Sequence, residues 1–181
     1  MRSSGTFQIL ALNGSASASS SNEKLIDQII QLLPPEFSVT VFDRLQTLPH
    51  FDPKRTEQET PPEVIELRER IAQADGVLFS TPEYIFSIPS ALKNAFEWCV
   101  STTVFSEKPT GILTASASGE KGHAELQLIM KTLMATFTTD TTLLIQGIKG
   151  KINIKGEITD EETKLRLRRF TESFVTLCKG A

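Results

Sequence analysis

The sequence predicts an open, parallel β-sheet covered by helices on both faces, and three observations carry that prediction. Apolar runs of strand length alternate with amphipathic stretches of helix length from residue 7 to residue 178. Strict β-α-β-α alternation needs right-handed crossovers, which place helices on both sides of the sheet. No internal repeat, low-complexity tract or linker divides the 181 residues, a length that suits one domain (1–181) with a real core.

The first strand is "FQILALN", residues 7–13. A helix is expected over residues 22–33, because Leu25, Ile26, Ile29, Ile30 and Leu33 recur on one face. Ser20-x-x-Glu23 has the form of its capping box, and Pro34-Pro35 stops it. "FSVTVF", residues 37–42, is the second strand, with Val39 and Val41 on one face. Residues 43–60 form the least regular connection, and a loop this long inside a compact domain usually serves a site or an interface. Thr60-Pro61-Pro62-Glu63 reads as a helix start, with Thr60 as cap, Pro61 at the first helical position and Glu63 at the third. That helix runs to Gln73 and feeds the third strand, residues 76–80. The next helix is expected over residues 88–100, "TGILTAS" is the fourth strand, and a helix follows over residues 122–135. "TTLLI" is the fifth strand, and Thr159-x-x-Glu162 caps a last helix that reaches Cys178. Lys151-Ile152-Asn153-Ile154 is a candidate short edge strand.

Composition narrows the function classes. Apolar residues make up 39% and charged residues 23%, the balance of a folded soluble protein. A formal net charge of -3, with no basic stripe, argues against a nucleic-acid partner. Cys99 and Cys178 form no CxxC pair, and with only His50 and His123 no metal-ligand cluster has the spacing it needs. Both cysteines read as buried free thiols in a reducing compartment. The opening "MRSSGTFQILALNG" carries one arginine and an apolar run shorter than a secretory or membrane-spanning segment. A cytoplasmic protein with no membrane partner is the expectation.

Sheets of this kind bind ligands beyond the carboxyl ends of their strands. Three connections at that edge stand out. In "NGSASASSSN", residues 13–22, Gly14 allows a tight turn, and Ser15, Ser17, Ser19, Ser20 and Ser21 offer hydroxyls. The helix start at Asn22 adds free N–H groups and a positive dipole end, which together make a phosphate cradle. The same residues also read as a polar loop in which Ser20 only caps the helix. The segment matches neither GxxxxGK[ST] nor GxGxxG, so a metal-free monophosphate fits better than a nucleoside triphosphate or a dinucleotide.

The second connection, in "STPEYIFSIPSALKNAFEWCV", ends an apolar strand at a proline and carries an apolar, aromatic tip. Pro82 and Pro89 stiffen its ends, and Tyr84, Ile85 and Phe86 would line a flat ligand. The competing readings have Ile85 and Phe86 plug the core, a subunit interface or the ligand site itself. In the third connection, "SASGEKG", Ser116, Ser118, Gly119 and Gly122 make either a ligand loop or an ordinary turn before a helix. His123 reads as a solvated residue without a partner, and Lys93 with Glu97 as a surface pair. Phe96 and Trp98 suit the core or a subunit contact. No Ser-His-Asp set or workable carboxylate pair is present.

These loops resemble those of the NADPH-dependent FMN reductase family, flavodoxin-like proteins with a phosphate loop GSxRxxSxN and a second loop PEYNxSxPxxLKNAxDW. Here the first reads "GSASASSSN" and the second "PEYIFSIPSALKNAFEW". The resemblance runs from Phe7 through the third loop and, more weakly, to Gly156-Glu157-Ile158-Thr159-Asp160. It implies a flavodoxin-like three-layer sandwich with strand order 2-1-3-4-5. It further implies FMN held by Ser15, Ser17, Ser20 and Asn22 at its phosphate. Pro82, Glu83, Tyr84, Ile85 and Phe86 would run along the isoalloxazine edge, with Ser116 and Gly119 near the ring. Glu83 would reach the ring through its backbone or else face water.

The implied donor is NADPH or NADH, and the implied acceptor is a small molecule such as a quinone, an azo compound or chromate, or another protein's flavin. The implied assembly is a homodimer or homotetramer, with neighbouring subunits shaping the flavin site. Two departures bear on this. Ser17 stands where the family has arginine, which removes a charge-assisted phosphate contact. Ile85 replaces asparagine, and Phe86 a small or polar residue. Two other expectations stand beside the enzyme. One is a flavodoxin-like module without redox activity that binds a partner or oligomerises. The other is a flavodoxin-type carrier that binds FMN but oxidises NADPH poorly.

Overall fold

The computed structural model describes residues 5–56 and 59–181; residues 1–4 and the 57–58 portion of the long loop, both touched by the expectations above, lie outside them. Five parallel strands form one sheet: β1 (Phe7–Asn13), β2 (Phe37–Phe42), β3 (Gly76–Thr81), β4 (Thr110–Ser116) and β5 (Thr142–Gln146). Their order is β2-β1-β3-β4-β5, as the resemblance implies. The helices are α1 (Ser21–Leu32), α2 (Pro62–Gln73), α3 (Ser90–Cys99), α4 (Glu120–Thr132) and α5 (Glu161–Lys179).

The period-2 alternation of strand side chains sorts the core into two layers. Leu10, Leu12, Val77, Phe79 and Ile112 point to one face and pack under α2, α3 and α4. Ile9, Ala11, Leu78, Leu113 and Ile145 point to the other and pack under α1 and α5. β3 is buried along its whole length, which explains its unbroken apolar run: a central parallel strand has no wet face. β2 is an edge strand. Val39 is half-buried against the second layer, whereas Val41 is exposed.

Two helix caps differ from expectation by one residue. The Thr60 hydroxyl donates back to the carbonyls of Arg55 and Thr56, so Pro61 takes the cap position and Pro62 begins α2. Asp160, not Thr159, caps α5, accepting from the Thr163 N–H at 2.9 Å. Residues 151–154 form no edge strand. A single bridge joins Ile152 to Ile158, and the Asn153 side chain closes the turn by accepting from the N–H groups of Lys155 and Glu157.

The long loop after β2 is tied to α3. The Pro49 carbonyl accepts from Asn94 Nδ2 at 3.0 Å and from Trp98 Nε1 at 2.7 Å. The Phe51 N–H donates to Asn94 Oδ1 at 2.8 Å, and the Phe51 ring meets Trp98 edge-on. Arg68 of α2 donates to the carbonyls of Trp98 and Thr56. Trp98 and Phe96 are therefore core residues, and Phe96 packs against Phe79 and Phe105. Cys99 and Cys178 are buried free thiols, each pushed up to about 12 by burial. Among the described residues, no helix is long and apolar enough to cross a membrane, and no three metal-ligating side chains come together.

Candidate functional site

The loops after β1, β2 and β3 meet at the carboxyl edge of the sheet around an open cleft of about 670 Å³. Gly14 starts the first wall. A Cβ there would lie 2.3 Å from Thr81 Oγ1, so only glycine lets this loop close onto β3. The serines then organise the loop: Asn13 Oδ1 accepts from the Ser15 N–H at 3.0 Å, and Ser15 Oγ accepts from the Ser17 N–H at 3.2 Å. Ser19 adopts a left-handed φ of 54° and leads into Ser20, whose hydroxyl caps α1 by accepting from the Glu23 N–H at 3.1 Å. Among the described residues, the N–H groups of Ala18, Ser19, Ser20, Ser21 and Asn22 have no hydrogen-bond acceptor. They stand at the positive end of a 12-residue helix, the donor arrangement an anion needs.

Asn22 departs from its expected role. Its side chain is buried and donates to the Ala115 carbonyl at 3.1 Å, while the Ser80 hydroxyl donates to its backbone and side-chain oxygens. That amide fastens α1 to β3 and β4, so it offers no side-chain contact to a ligand.

The second wall holds the sharper surprise. Tyr84 and Ser87 exchange both backbone hydrogen bonds, at 2.9 and 3.1 Å, closing a two-residue hairpin. Its central residues, Ile85 and Phe86, have φ of 50° and 58°. A turn left-handed at both positions favours Asn-Gly, and holding a β-branched and an aromatic residue there costs roughly 1–2 kcal/mol each. The turn aims both side chains outward, leaving Ile85 95% and Phe86 76% exposed. Neither plugs the core or fills the cleft. Tyr84 does face the cleft, its hydroxyl 3.5 Å from Ser15 Oγ. Pro82 is buried behind the loop.

Glu83 neither faces water nor leaves its carboxylate free for a ligand. Its oxygens accept from the N–H groups of Gly119 and Gly122 at 3.2 and 2.8 Å, capping α4. Gly119 has φ of 88°, and a Cβ on it would meet Leu144 at 2.8 Å, so its close approach serves the protein's own packing. Ser116 Oγ donates to the Glu83 carbonyl at 3.5 Å. His123 also has a partner, with Nδ1 2.9 Å from Thr114 Oγ1, and burial lowers its pKa.

Of the residues singled out from sequence, Gly14, Ser15, Ser17, Tyr84 and Pro89 line the cleft; Ser20, Asn22, Pro82, Glu83, Ser116 and Gly119 do not, and Ile85 and Phe86 turn outward. The third wall was missed: Asp43, Gln46, Leu48 and His50 after β2, with Ser90 and Asn94 at the start of α3. Only the length of the loop pointed to it. Glu23 and Asp43 put two carboxylates on the cleft, and among the described residues no lysine or arginine lines it.

The model of the NADPH-dependent FMN reductase family matches residues 7–147, from the first strand to the end of the fifth. The chain belongs to the NADPH-dependent FMN reductase family. It is 29% identical over 167 residues to an NAD(P)H-dependent FMN reductase of Pseudomonas aeruginosa, covering 89% of each. It is 29% identical over 163 residues to a quinone reductase of Escherichia coli, covering 86% of this chain and 87% of the relative. Among solved structures, the FerB flavoenzyme NAD(P)H:(acceptor) oxidoreductase of Paracoccus denitrificans superposes with a TM-score of 0.83. That match has 24% identity and covers 97% of this chain and 98% of the other, and it speaks for the fold.

The residues present fit the cofactor that the family name specifies. A monophosphate needs several converging N–H and O–H donors, and the serine loop with the α1 terminus supplies them without a metal. The cleft volume falls in the range of cofactor sites. The family's arginine is missing at Ser17, and among the described residues no lysine or arginine of the cleft replaces it. An anion at this loop would meet neutral donors and the helix dipole.

Proposed function

We propose that this reductase works as one domain that holds FMN in the cleft, accepts electrons from NADH or NADPH and passes them to a small-molecule acceptor of quinone type. The observation that carries the reading is the meeting of the serine loop and Tyr84 on one cleft where the strand order reverses, between β1 and β3. Ser15, Ser17 and the free N–H groups before α1 would hold the phosphate. Tyr84 and the backbone of the Ile85-Phe86 turn would orient the ring, since neither turn N–H has an acceptor among the described residues. When bound, the flavin itself supplies hydride acceptance and electron release. The protein therefore needs no acid or base of its own for that step. Its tasks are to bind, to orient and to leave one ring face open.

Quinones are favoured as acceptors because several relatives carry that activity in their names, among them the Escherichia coli quinone reductase and an NADPH:quinone oxidoreductase of Arabidopsis thaliana. Azo compounds, chromate or another protein's flavin would use the same open face. A cytoplasmic homodimer or homotetramer completes the proposal. The test is an FMN titration followed by steady-state oxidation of NADH and NADPH with benzoquinone. Binding in the micromolar range with turnover supports the enzyme. Binding without turnover leaves an electron carrier, and no binding leaves an interaction module.

A further inference from the structure

We infer that Glu83 and Glu125 form a reciprocal clasp that positions the ligand-facing turn, a role for two carboxylates outside the cleft. The clasp runs in both directions between the β3–α3 connection and α4. Glu83, just before the turn, reaches over to α4 and accepts from the N–H groups of Gly119 and Gly122 at 3.2 and 2.8 Å. Glu125, further along α4, reaches back just past the turn and accepts from Ser87 Oγ at 2.6 Å and from the Ile88 N–H at 3.1 Å. Four hydrogen bonds to charged acceptors thus bracket residues 84–87, and such bonds are stronger than neutral ones.

The turn needs this bracket. Backbone held in a sparsely populated conformation persists only where its surroundings over-determine it. Ile85 and Phe86 are largely exposed, so their side chains contribute little packing to hold φ at 50° and 58°. What fixes the segment lies at its two ends. The Tyr84–Ser87 backbone pair closes it, and the two carboxylates anchor those ends to a rigid helix. Gly122 is the independent sign that the approach of α4 is built in. A Cβ there would sit 3.2 Å from the Ser87 carbonyl oxygen and 3.3 Å from Glu83 Cβ, so a larger residue would push the helix off the turn.

Neither Glu83 nor Glu125 lines the cleft, so they are positioning residues. They act by holding the free N–H groups of Ile85 and Phe86 in place. The ligand these groups meet rests on the flavin reading above; the clasp itself does not. Two measurements keep them apart. In the first, amide hydrogen exchange of Tyr84, Ser87 and Ile88, whose N–H groups are hydrogen-bonded, is followed in the flavin-free full chain for wild type, Glu125→Gln, Glu83→Gln and Gly122→Ala. Exchange should quicken about tenfold or more at the turn in each variant, with the sheet amides unchanged. Glu125→Gln combined with Glu83→Gln should add little to either alone, because both remove one device.

In the second measurement, FMN affinity and the flavin's midpoint potential are compared in the same set. Affinity should fall about tenfold and the potential should shift, which a merely structural defect would not produce. Wild-type exchange at the turn in Glu125→Gln and Gly122→Ala overturns the clasp. A loosened turn with unaltered affinity and potential overturns its positioning role. A wild-type chain that binds no FMN removes the flavin reading and the positioning role with it, and the exchange result then decides the clasp alone.

Discussion

Replacing Ile85 with Asn and Phe86 with Gly weighs backbone strain against hidden contacts. A residue other than glycine in the left-handed region costs roughly 1–2 kcal/mol, so the pair stores about 2–4 kcal/mol. Asn recovers part of its share and Gly nearly all, less about 0.5–1 kcal/mol because Gly loosens the unfolded chain. The contacts forfeited are small. Ile85 is 95% exposed, and the roughly one quarter of Phe86 that is covered is worth about 0.5 kcal/mol. The balance for Ile85→Asn with Phe86→Gly is a gain of about 1 kcal/mol, or about 2–4 °C in Tm for a chain of this size. Urea unfolding of the flavin-free protein at several concentrations, with the slope unchanged, measures it. A loss of about 1 kcal/mol or more would refute the reasoning: the two side chains would then be buried in solution against another copy, with a midpoint that falls on dilution.

Three further outcomes are expected. Ser17→Arg supplies the cation the cleft lacks and should tighten FMN about tenfold, an effect weakened by salt; unchanged affinity in a fluorescence titration would remove Ser17 from the phosphate end. Burial lowers the pKa of His123, so protonation favours the unfolded chain: its contribution is full above about pH 6.5 and is lost as pH falls through the lower folded value. Urea midpoints taken from pH 7.5 to pH 5 should therefore decline, and His123→Gln should flatten the decline; an identical slope would discount that residue. Cys99 and Cys178, pushed up to about 12 by burial, should stay silent to a thiol reagent at pH 8 and both react once urea unfolds the chain. A fast-reacting thiol in the native protein would contradict their placement.

The strands and layers were legible because buried parallel strands leave an unbroken apolar trace, as Gly76–Thr81 does. Helix caps slipped by one where neighbouring residues competed for the position. Thr60 and Asp160 were sorted by bonds to Arg55 and Thr163, which no local pattern announces. The serine loop and Tyr84 could be found from composition alone. The wall from Asp43 to His50 could not, because its path depends on Asn94 and Trp98 catching Pro49 from another element. Ile85 and Phe86 misled for a related reason. Apolar residues suggest a lining, but two left-handed φ values turn them to solvent. Glu83 and Glu125 carried no local mark of their partnership.

The doubly accepted carbonyl of Pro49 bears on how such a reductase diversifies. With Asn94 and Trp98 holding that single oxygen, and Arg68 holding the later part of the loop through Thr56, the wall keeps its course whatever side chains it displays. Gln46 and His50 are exposed on that wall and face the cleft. Substitutions at those two sites would therefore alter the chemistry of the cleft without remodelling the scaffold and at little cost in stability.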